Sequence, residues 1–283
     1  MRAKFAIPDR MIPHMKFRLG SLFQKNAHSL PRRLYFSGVR RVAGVFSKRQ
    51  AVYFVDINGT RFKRVVLGDS FEASQAEQAL RSAPAAARFP ALIQRHENEL
   101  LLGFVEGRPF NPSQDADRHA LAGFFGALYA VGRRGLATDA LLQELQTDIG
   151  FLRTSGLIDA ALARALLERA GELCPAEVQI GLDYVDPVAK NFVVSEGQLF
   201  AIDVESLRRD VPLGTGIAKA AVHWLGRDQA PDFIALVERA GDFTLSGQMP
   251  FVELCFRVGW TKRKLLQGKH GSIHIELLRE LVE

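Results

Sequence analysis

Residues 181–207 read GLDYVDPVAKNFVVSEGQLFAIDVESL, a short polar turn that runs into a small apolar hairpin. Phe192-Val193-Val194 form one candidate strand, Ser195-Glu196-Gly197-Gln198 the turn, and Leu199-Phe200-Ala201-Ile202 the returning strand. Asp186 precedes the hairpin, Asn191 opens its first strand and Asp203 closes its second. A hairpin brings its open ends together, so Asn191 and Asp203 are expected side by side with Asp186 within reach. Three oxygen-bearing side chains then converge where the pattern otherwise demands apolar strand. Such a set suits a hard cation such as Mg2+, held by one or two protein ligands and completed by substrate phosphates. Taken alone, the segment also fits a surface hairpin, since Asp186-Pro187 is a common turn starter and Gly197 an ordinary hairpin glycine.

The whole ordered string resembles the catalytic loop and metal-binding motif of the protein-kinase-like phosphotransferases, nearest the aminoglycoside phosphotransferase and choline kinase group. That group carries His-Gly-Asp, then Asn five residues after the Asp, an apolar strand, a turn and an Ile-Asp-Phe-Glu-like ending. Here Asp186 and Asn191 keep the spacing, and Ile202-Asp203-Val204-Glu205 supplies the ending. The resemblance implies ATP- and Mg2+-dependent transfer of a phosphoryl group to an alcohol. Asp186 would be the base that orients the acceptor hydroxyl, with Asn191 and Asp203 holding Mg2+ on the nucleotide phosphates. Tyr184-Val185 stands where His-Gly is usual, which removes the family's bracing of the loop.

Upstream the pattern turns to strands. Residues 42–46 form one candidate, followed by the turn Ser47-Lys48-Arg49-Gln50, a strand over 51–57, the hairpin signal Asn58-Gly59 and a strand over 61–67. Kinase-like folds lay a turn such as 47–50 over the nucleotide phosphates. The resemblance also asks for a strand cation that grips the α- and β-phosphates and is itself held by a helix glutamate. Lys63 is the best candidate, and Arg64, on the opposite face, is the runner-up. A helix predicted over 69–81 offers Glu72 and Glu77; Glu77 followed by Leu80 matches the family's Glu-x-x-Leu pattern, which pairs Glu77 with Lys63. Solvent-facing charges are the alternative reading of all three.

Two more strands are predicted over 91–95 and 100–105, around the turn His96-Glu97-Asn98-Glu99. Their ending, Phe104-Val105-Glu106-Gly107-Arg108-Pro109, resembles the hinge between the two lobes of these enzymes. Extended backbone at Glu106 would offer N–H and C=O to an adenine edge, and Gly107 lets the chain change direction. Lys190, beside Asn191, is a candidate γ-phosphate contact.

Beyond the hinge the periodicity is helical. Ser113 is the expected N-cap of a helix running to about Gly132, with Leu121, Phe124, Phe125, Leu128 and Tyr129 on its core face. Ala127-Leu128-Tyr129 followed by Gly135 resembles the family's Leu-His-x-x-Gly, with Tyr for His. Further helices are predicted over 139–154, 158–173, 217–225, 231–240 and 272–282. Gly214-Thr215-Gly216 lacks the aspartate that family members place there to brace the catalytic loop, and reads as a turn. Lys262, Arg263, Lys264, Lys269 and His270 form a basic cluster. A solvated face is its default reading, contact with a phosphorylated acceptor the other.

With 283 residues, 47% apolar and 24% charged, the chain is an ordinary globular composition large enough for two lobes. Its net charge of +6 favours an anionic partner. The two cysteines, Cys174 and Cys255, form no metal-ligand spacing and suit a reduced cytoplasmic compartment. No apolar run reaches a bilayer span, and no zinc, serine-hydrolase or nucleic-acid signature is present. The expected organisation is a basic extension over 1–33, a nucleotide-covering lobe over 34–106, and a helical lobe over 107–283 that carries the catalytic segment 183–205. The fold class is α+β: a two-lobed protein-kinase-like fold with a small antiparallel sheet in the first lobe and mainly helices in the second. The acceptor is expected to be a hydroxyl of a small molecule or glycan. The runner-up is a lipopolysaccharide-core sugar met at the inner membrane face, with the basic extension on an anionic surface. A catalytically silent binding or regulatory module of the same fold is the rival.

Overall fold

The computed structural model describes residues 51–226 and 228–283. The basic extension, the strand expected over 42–46 and the turn at 47–50 lie outside the described residues. Strands β1 (Ala51–Ile57) and β2 (Thr60–Val66) pair antiparallel through Asn58-Gly59, whose φ angles of 51° and 78° are those a type I′ turn requires. In this register Phe54 stands opposite Lys63. Strand β3 (Leu92–His96) and strand β4 (Glu99–Gly103) complete a four-stranded sheet in the order β1-β2-β4-β3. Helix α1 (Ser70–Ser82) is N-capped by Asp69, whose carboxylate accepts from the Glu72 N–H at 2.8 Å. It buries Ala73 and Ala76 against Val65, Leu100 and Leu102, in a small cluster that also contains Val204 from the catalytic segment. The sheet is thereby packed onto the residue next to Asp203.

At Gly107 the backbone passes so close to a neighbouring strand that an added Cβ would lie 2.3 Å from the Val194 carbonyl oxygen. Glycine is required there by close approach rather than by a left-handed φ. The short strand β5 (Arg108–Pro109) then pairs with β8 (Phe192–Ser195), and β8 with β9 (Gln198–Ala201), so the hairpin between Asn191 and Asp203 is anchored to the segment that follows Gly107. Arg108 grips the buried Asp117 carboxylate with two bonds of 2.6 and 2.7 Å, tying the hinge to helix α2 (Asp115–Tyr129).

A third sheet, in the order β10-β7-β6, joins strands β6 (Arg134–Ala137), β7 (Glu177–Tyr184) and β10 (Leu207–Pro212). The remaining elements are helices α3 (Asp139–Thr154), α4 (Ala160–Leu173), α5 (Thr215–Ala220) with a π-helical turn at Ala221–Leu225, α6 (Ala230–Gly241), α7 (Met249–Leu266) and α8 (Glu276–Arg279). Phe124, Phe125, Leu128 and Tyr129 of α2 pack with Tyr184, Phe192 and Ile217 in one core, while α3, α4 and α7 share another around Ile149, Leu166, Leu254 and Val258. Full burial of each of these large side chains contributes roughly 1.5–3 kcal/mol.

Three sequence expectations are corrected. Ser113 is not the cap of α2: its own N–H donates to Asn111 Oδ1, a local turn that outcompetes capping, and Gln114 holds the N-cap position. The helix expected over 272–282 shrinks to the single turn of α8. Gly214-Thr215-Gly216 is not a free turn but the start of α5, with Gly214 at φ 95° as its N-cap.

Candidate functional site

The candidate site is built where the β8–β9 hairpin meets the first sheet. Asn191 is buried, and its Nδ2 donates to the Asp186 carbonyl at 2.9 Å and to Asp203 Oδ2 at 3.4 Å. One amide thus ties the loop that carries Asp186 to the far foot of the ribbon, and its oxygen is the atom with ligand chemistry. The turn Glu196-Gly197, with φ 51° and 73°, closes the ribbon and sets Phe192 opposite Ala201, which is what puts Asn191 and Asp203 together. Asp203 Oδ2 also accepts from Ser206 Oγ at 2.7 Å.

Glu205, quoted in the motif but given no role in the sequence reading, joins this group. Its carboxyl lies against that of Asp203, and its Oε2 is buried without a hydrogen-bond partner. Burial first, then the Asp203 charge, pushes Glu205 up to about 7. Among the described residues no cluster of three His, Cys, Asp or Glu side chains could hold a metal. Two carboxylates and an amide oxygen, one carboxylate atom orphaned in a buried setting, nevertheless match what Mg2+ takes from a protein when phosphates and water supply the rest.

A cavity of about 500 Å3 lies above these groups, lined by Val52, Phe54, Phe104, Val193 and Ile202 together with Lys63, Glu106, Gly107, Lys190, Asn191 and Asp203. Its apolar roof is exposed where Phe54 meets Phe104 edge-on at 5.5 Å, and the Arg61 guanidinium sits over both rings. Lys63 reaches into it and donates to the Ile202 carbonyl at 2.6 Å, one residue before Asp203. Arg64, on the other face, is buried with Glu99 instead. Glu106 and Lys190 are exposed at the cavity rim. A separate hollow of about 300 Å3, bordered by Pro84, Arg88, Phe89 and Phe200, touches none of the groups named above.

The expected pairing of Lys63 with Glu77 is not formed. Glu77 accepts from Arg95 at 2.5 Å and from Arg81 at 2.9 Å, one turn along its own helix. Both arginines hold its carboxyl below its ordinary value against the opposing effect of burial. Two guanidinium groups at bonding distance outcompete a more distant ammonium. Lys63 instead bears on Glu205, whose carboxyl its charge pulls down against burial.

Asp186 forms an ion pair with Lys219 of α5 at 2.5 Å. Its loop is braced from several sides: Trp224 Nε1 donates to the Pro187 carbonyl at 2.9 Å and the Tyr184 hydroxyl to the Asn191 carbonyl at 3.4 Å. The deepest brace is Asp183, fully buried at the end of β7. It accepts from the Tyr129 hydroxyl at 2.7 Å and the Gly216 N–H at 3.0 Å, with weaker bonds from the N–H groups of Tyr184 and Thr215. The Tyr129 oxygen in turn accepts from the Gly214 N–H at 3.2 Å. Gly216 permits this approach, because a Cβ there would lie 2.2 Å from the Tyr184 carbonyl oxygen. The 214–216 segment, which has no acid of its own, thus supplies donors to an acid on the strand that enters the loop. Burial nevertheless pushes Asp183 up to about 6.

No protein-family model matches the chain, and no curated protein matches it in sequence. In fold it is similar to aminoglycoside phosphotransferase APH(4)-Ia, with a TM-score of 0.60 and 13% identity over 83% of this chain and 90% of that one. Choline kinase LicA from Streptococcus pneumoniae gives a TM-score of 0.60 at 10% identity, covering 90% and 98% of the two chains. Macrolide 2'-phosphotransferase MphH from Brachybacterium faecium gives 0.56 at 12% identity, covering 84% and 88%. The chain thus has the two-lobed α+β fold of the protein-kinase-like phosphotransferases. APH(4)-Ia has been seen in ternary complex with ADP and hygromycin B.

Proposed function

We propose, from this fold and the groups gathered in its cleft, that the protein is an ATP- and Mg2+-dependent phosphotransferase acting on a hydroxyl of a small molecule or glycan. The observation that carries the reading is the Asn191 amide bonded to both the Asp186 carbonyl and the Asp203 carboxylate, beneath a cavity with Lys63 on its wall. In this reading Asn191, Asp203 and Glu205 hold Mg2+, which when bound neutralises phosphate charge. Lys63 has two donors left for the α- and β-phosphates after its bond to Ile202. Val52, Phe54 and Phe104 cover an adenine ring, and the backbone at Glu106 faces its edge. Lys190 stands at the rim for the γ-phosphate.

Asp186 accepts the hydrogen bond of the acceptor hydroxyl and orients its oxygen towards the γ-phosphorus. The O–P bond to the acceptor forms as the bond to the ADP leaving oxygen breaks, and the hydroxyl proton is passed to Asp186. Such a site works chiefly by position and charge. Loss of the Asp186 carboxylate should cost about 10²–10⁴-fold in turnover. The test is transfer of label from γ-labelled ATP to a panel of hydroxyl acceptors by wild type and Asp186→Asn. Transfer in wild type that the variant loses is expected; equal turnover by both would remove Asp186 from its role.

The rival is a catalytically silent module of the same fold; the bonds of Asp183, Tyr184 and Trp224 around the loop support the enzyme reading over it. A thermal shift with ATP plus Mg2+ that is absent with ATP plus EDTA favours the enzyme; no shift with either favours the silent module.

A further inference from the structure

Basic groups that do not line the cavity gather on α5, the π-helical turn and α7, beginning at the proposed base. Lys219 holds Asp186 at 2.5 Å. His223 follows four residues later on the π-helical turn, and its exposed ring meets Trp260 of α7 edge-on at 5.4 Å. One turn further along α7, the Lys264 ammonium sits 3.4 Å above the same indole and also donates to the Ser272 carbonyl. Phe256 stacks on Trp260 at 6.0 Å, so the indole is a fixed scaffold that holds the imidazole and the ammonium together.

The charges in this row are not balanced by acids. Those bearing on His223 are Lys219, Lys264 and Asp186, and those bearing on Lys264 are Lys269 and Lys219. Burial, followed by these like-charged neighbours, holds both His223 and Lys264 below their ordinary values. Among the described residues Lys264 and Lys269 form no ion pair with any carboxylate. Lys219 beside Asp186 and Lys264 beside His223 on one indole, with Lys269 adding charge of the same sign, repel a cationic acceptor and leave a positive potential for an anionic one.

We propose that the acceptor is itself anionic, carrying a phosphate or carboxylate that Lys219, His223 and Lys264 bind while its free hydroxyl faces Asp186. This rests on the phosphotransferase reading and names the substrate class of the same site. The complement to the row is an oxyanion with several acceptor lone pairs; each ammonium has donors to spare, and the imidazole adds one more.

The experiment is a side-chain NMR titration of the full chain, saturated with ADP and Mg2+ so that added anions cannot enter the nucleotide cavity. The probes are inorganic phosphate and glucose 6-phosphate, with glucose and choline as the uncharged and cationic counterparts. The Trp260 indole and His223 ring resonances should move with phosphate and with glucose 6-phosphate, and glucose 6-phosphate should bind at least about tenfold tighter than glucose. In Lys264→Gln that ratio should fall by about tenfold, a self-referenced readout that a general loss of folding would not mimic. Resonances that stay still with both anions, or that move equally with glucose or choline, would overturn the proposal. Saturation by ADP is read separately, at Lys63 and Phe54: its failure would sink the phosphotransferase reading, while the phosphate titration still reports on the row.

Discussion

Two carboxyl groups stand either side of the loop that carries Asp186, Asp183 fully buried and Glu205 partly so, and burial pushes both up, Asp183 to about 6 and Glu205 to about 7. Their surroundings differ. Asp183 is saturated: a hydroxyl and backbone N–H groups from β7 and the start of α5 fill its lone pairs. Glu205 keeps one oxygen without a partner and faces a second carboxyl across the ribbon end. The first acid is consumed by architecture, fixing the strand that delivers Asp186. The second keeps an unpartnered oxygen beside the Asp203 carboxyl, with Lys63 the protein cation whose charge bears on it. Asp183 is satisfied and Glu205 keeps an orphaned oxygen, and that is the difference between the two acids on which the proposed roles of brace and ligand rest.

The largest break in this contrast should come from Asp183→Ala. It strands the Tyr129 hydroxyl and the Gly216 N–H in the core, and is expected to cost about 4 kcal/mol by urea denaturation. A loss under about 1 kcal/mol would mean that the network is not the brace it resembles. Next in size is the pH dependence. Both acids have folded values above their ordinary ones, so the stability they contribute is full below pH about 4 and is lost as pH rises through about 6 for Asp183 and about 7 for Glu205. Each step is nominally on the order of 3 kcal/mol. Asp117, Glu77 and Glu238 are shifted down and act with the opposite sign in a window lower still, gaining stability as pH rises towards their ordinary values. Thermal scans from pH 4.5 to 8 should show the decline, Glu205→Gln should remove its upper part, and Mg2+ with ADP should flatten it in wild type. An upper step that persists unchanged in Glu205→Gln would assign it elsewhere.

Gly216→Ala follows, at about 2 kcal/mol, because the new methyl must push the start of α5 off the Tyr184 carbonyl. The smallest effect is expected of Glu77→Gln: its pairs with Arg81 and Arg95 lie near the surface and should contribute under about 1 kcal/mol. ADP affinity should not change in that variant. A large loss would restore Glu77 as the partner of Lys63.

The contrast also explains what was legible in the sequence. Asn191 and Asp203 are brought together by one ribbon whose turn is written locally in Glu196-Gly197, so their meeting follows from spacing alone. The brace is not local. Asp183 bonds Tyr129 from 54 residues away and Gly216 from 33, and nothing within a short window reveals that a tyrosine and two glycines compensate for absent family residues. Glu77 met the expected Glu-x-x-Leu spacing, but Arg95 arrives from β3, a competitor no helical pattern displays. Lys219, Trp224 and Lys264 sit on helices that reach the loop only through tertiary packing. Strands β6, β7 and β10 escaped notice, and the segment from Gly181 read as a polar turn is the end of β7; β6 is exposed throughout, β10 along half its length and β7 buried on both faces, so the alternation that marks a half-buried strand is missing in all three. Helix α7 was hidden in another way, with Pro250 in its first turn and charge crowding its last.

The central claim is that the ribbon's ends hold a divalent ion against a nucleotide. Calorimetric titration of ADP into wild type and Asp203→Asn, each with Mg2+ and with EDTA, tests it most directly. The account predicts binding by wild type that needs Mg2+ and that weakens about a hundredfold in the variant. Equal affinity in all four titrations would contradict it.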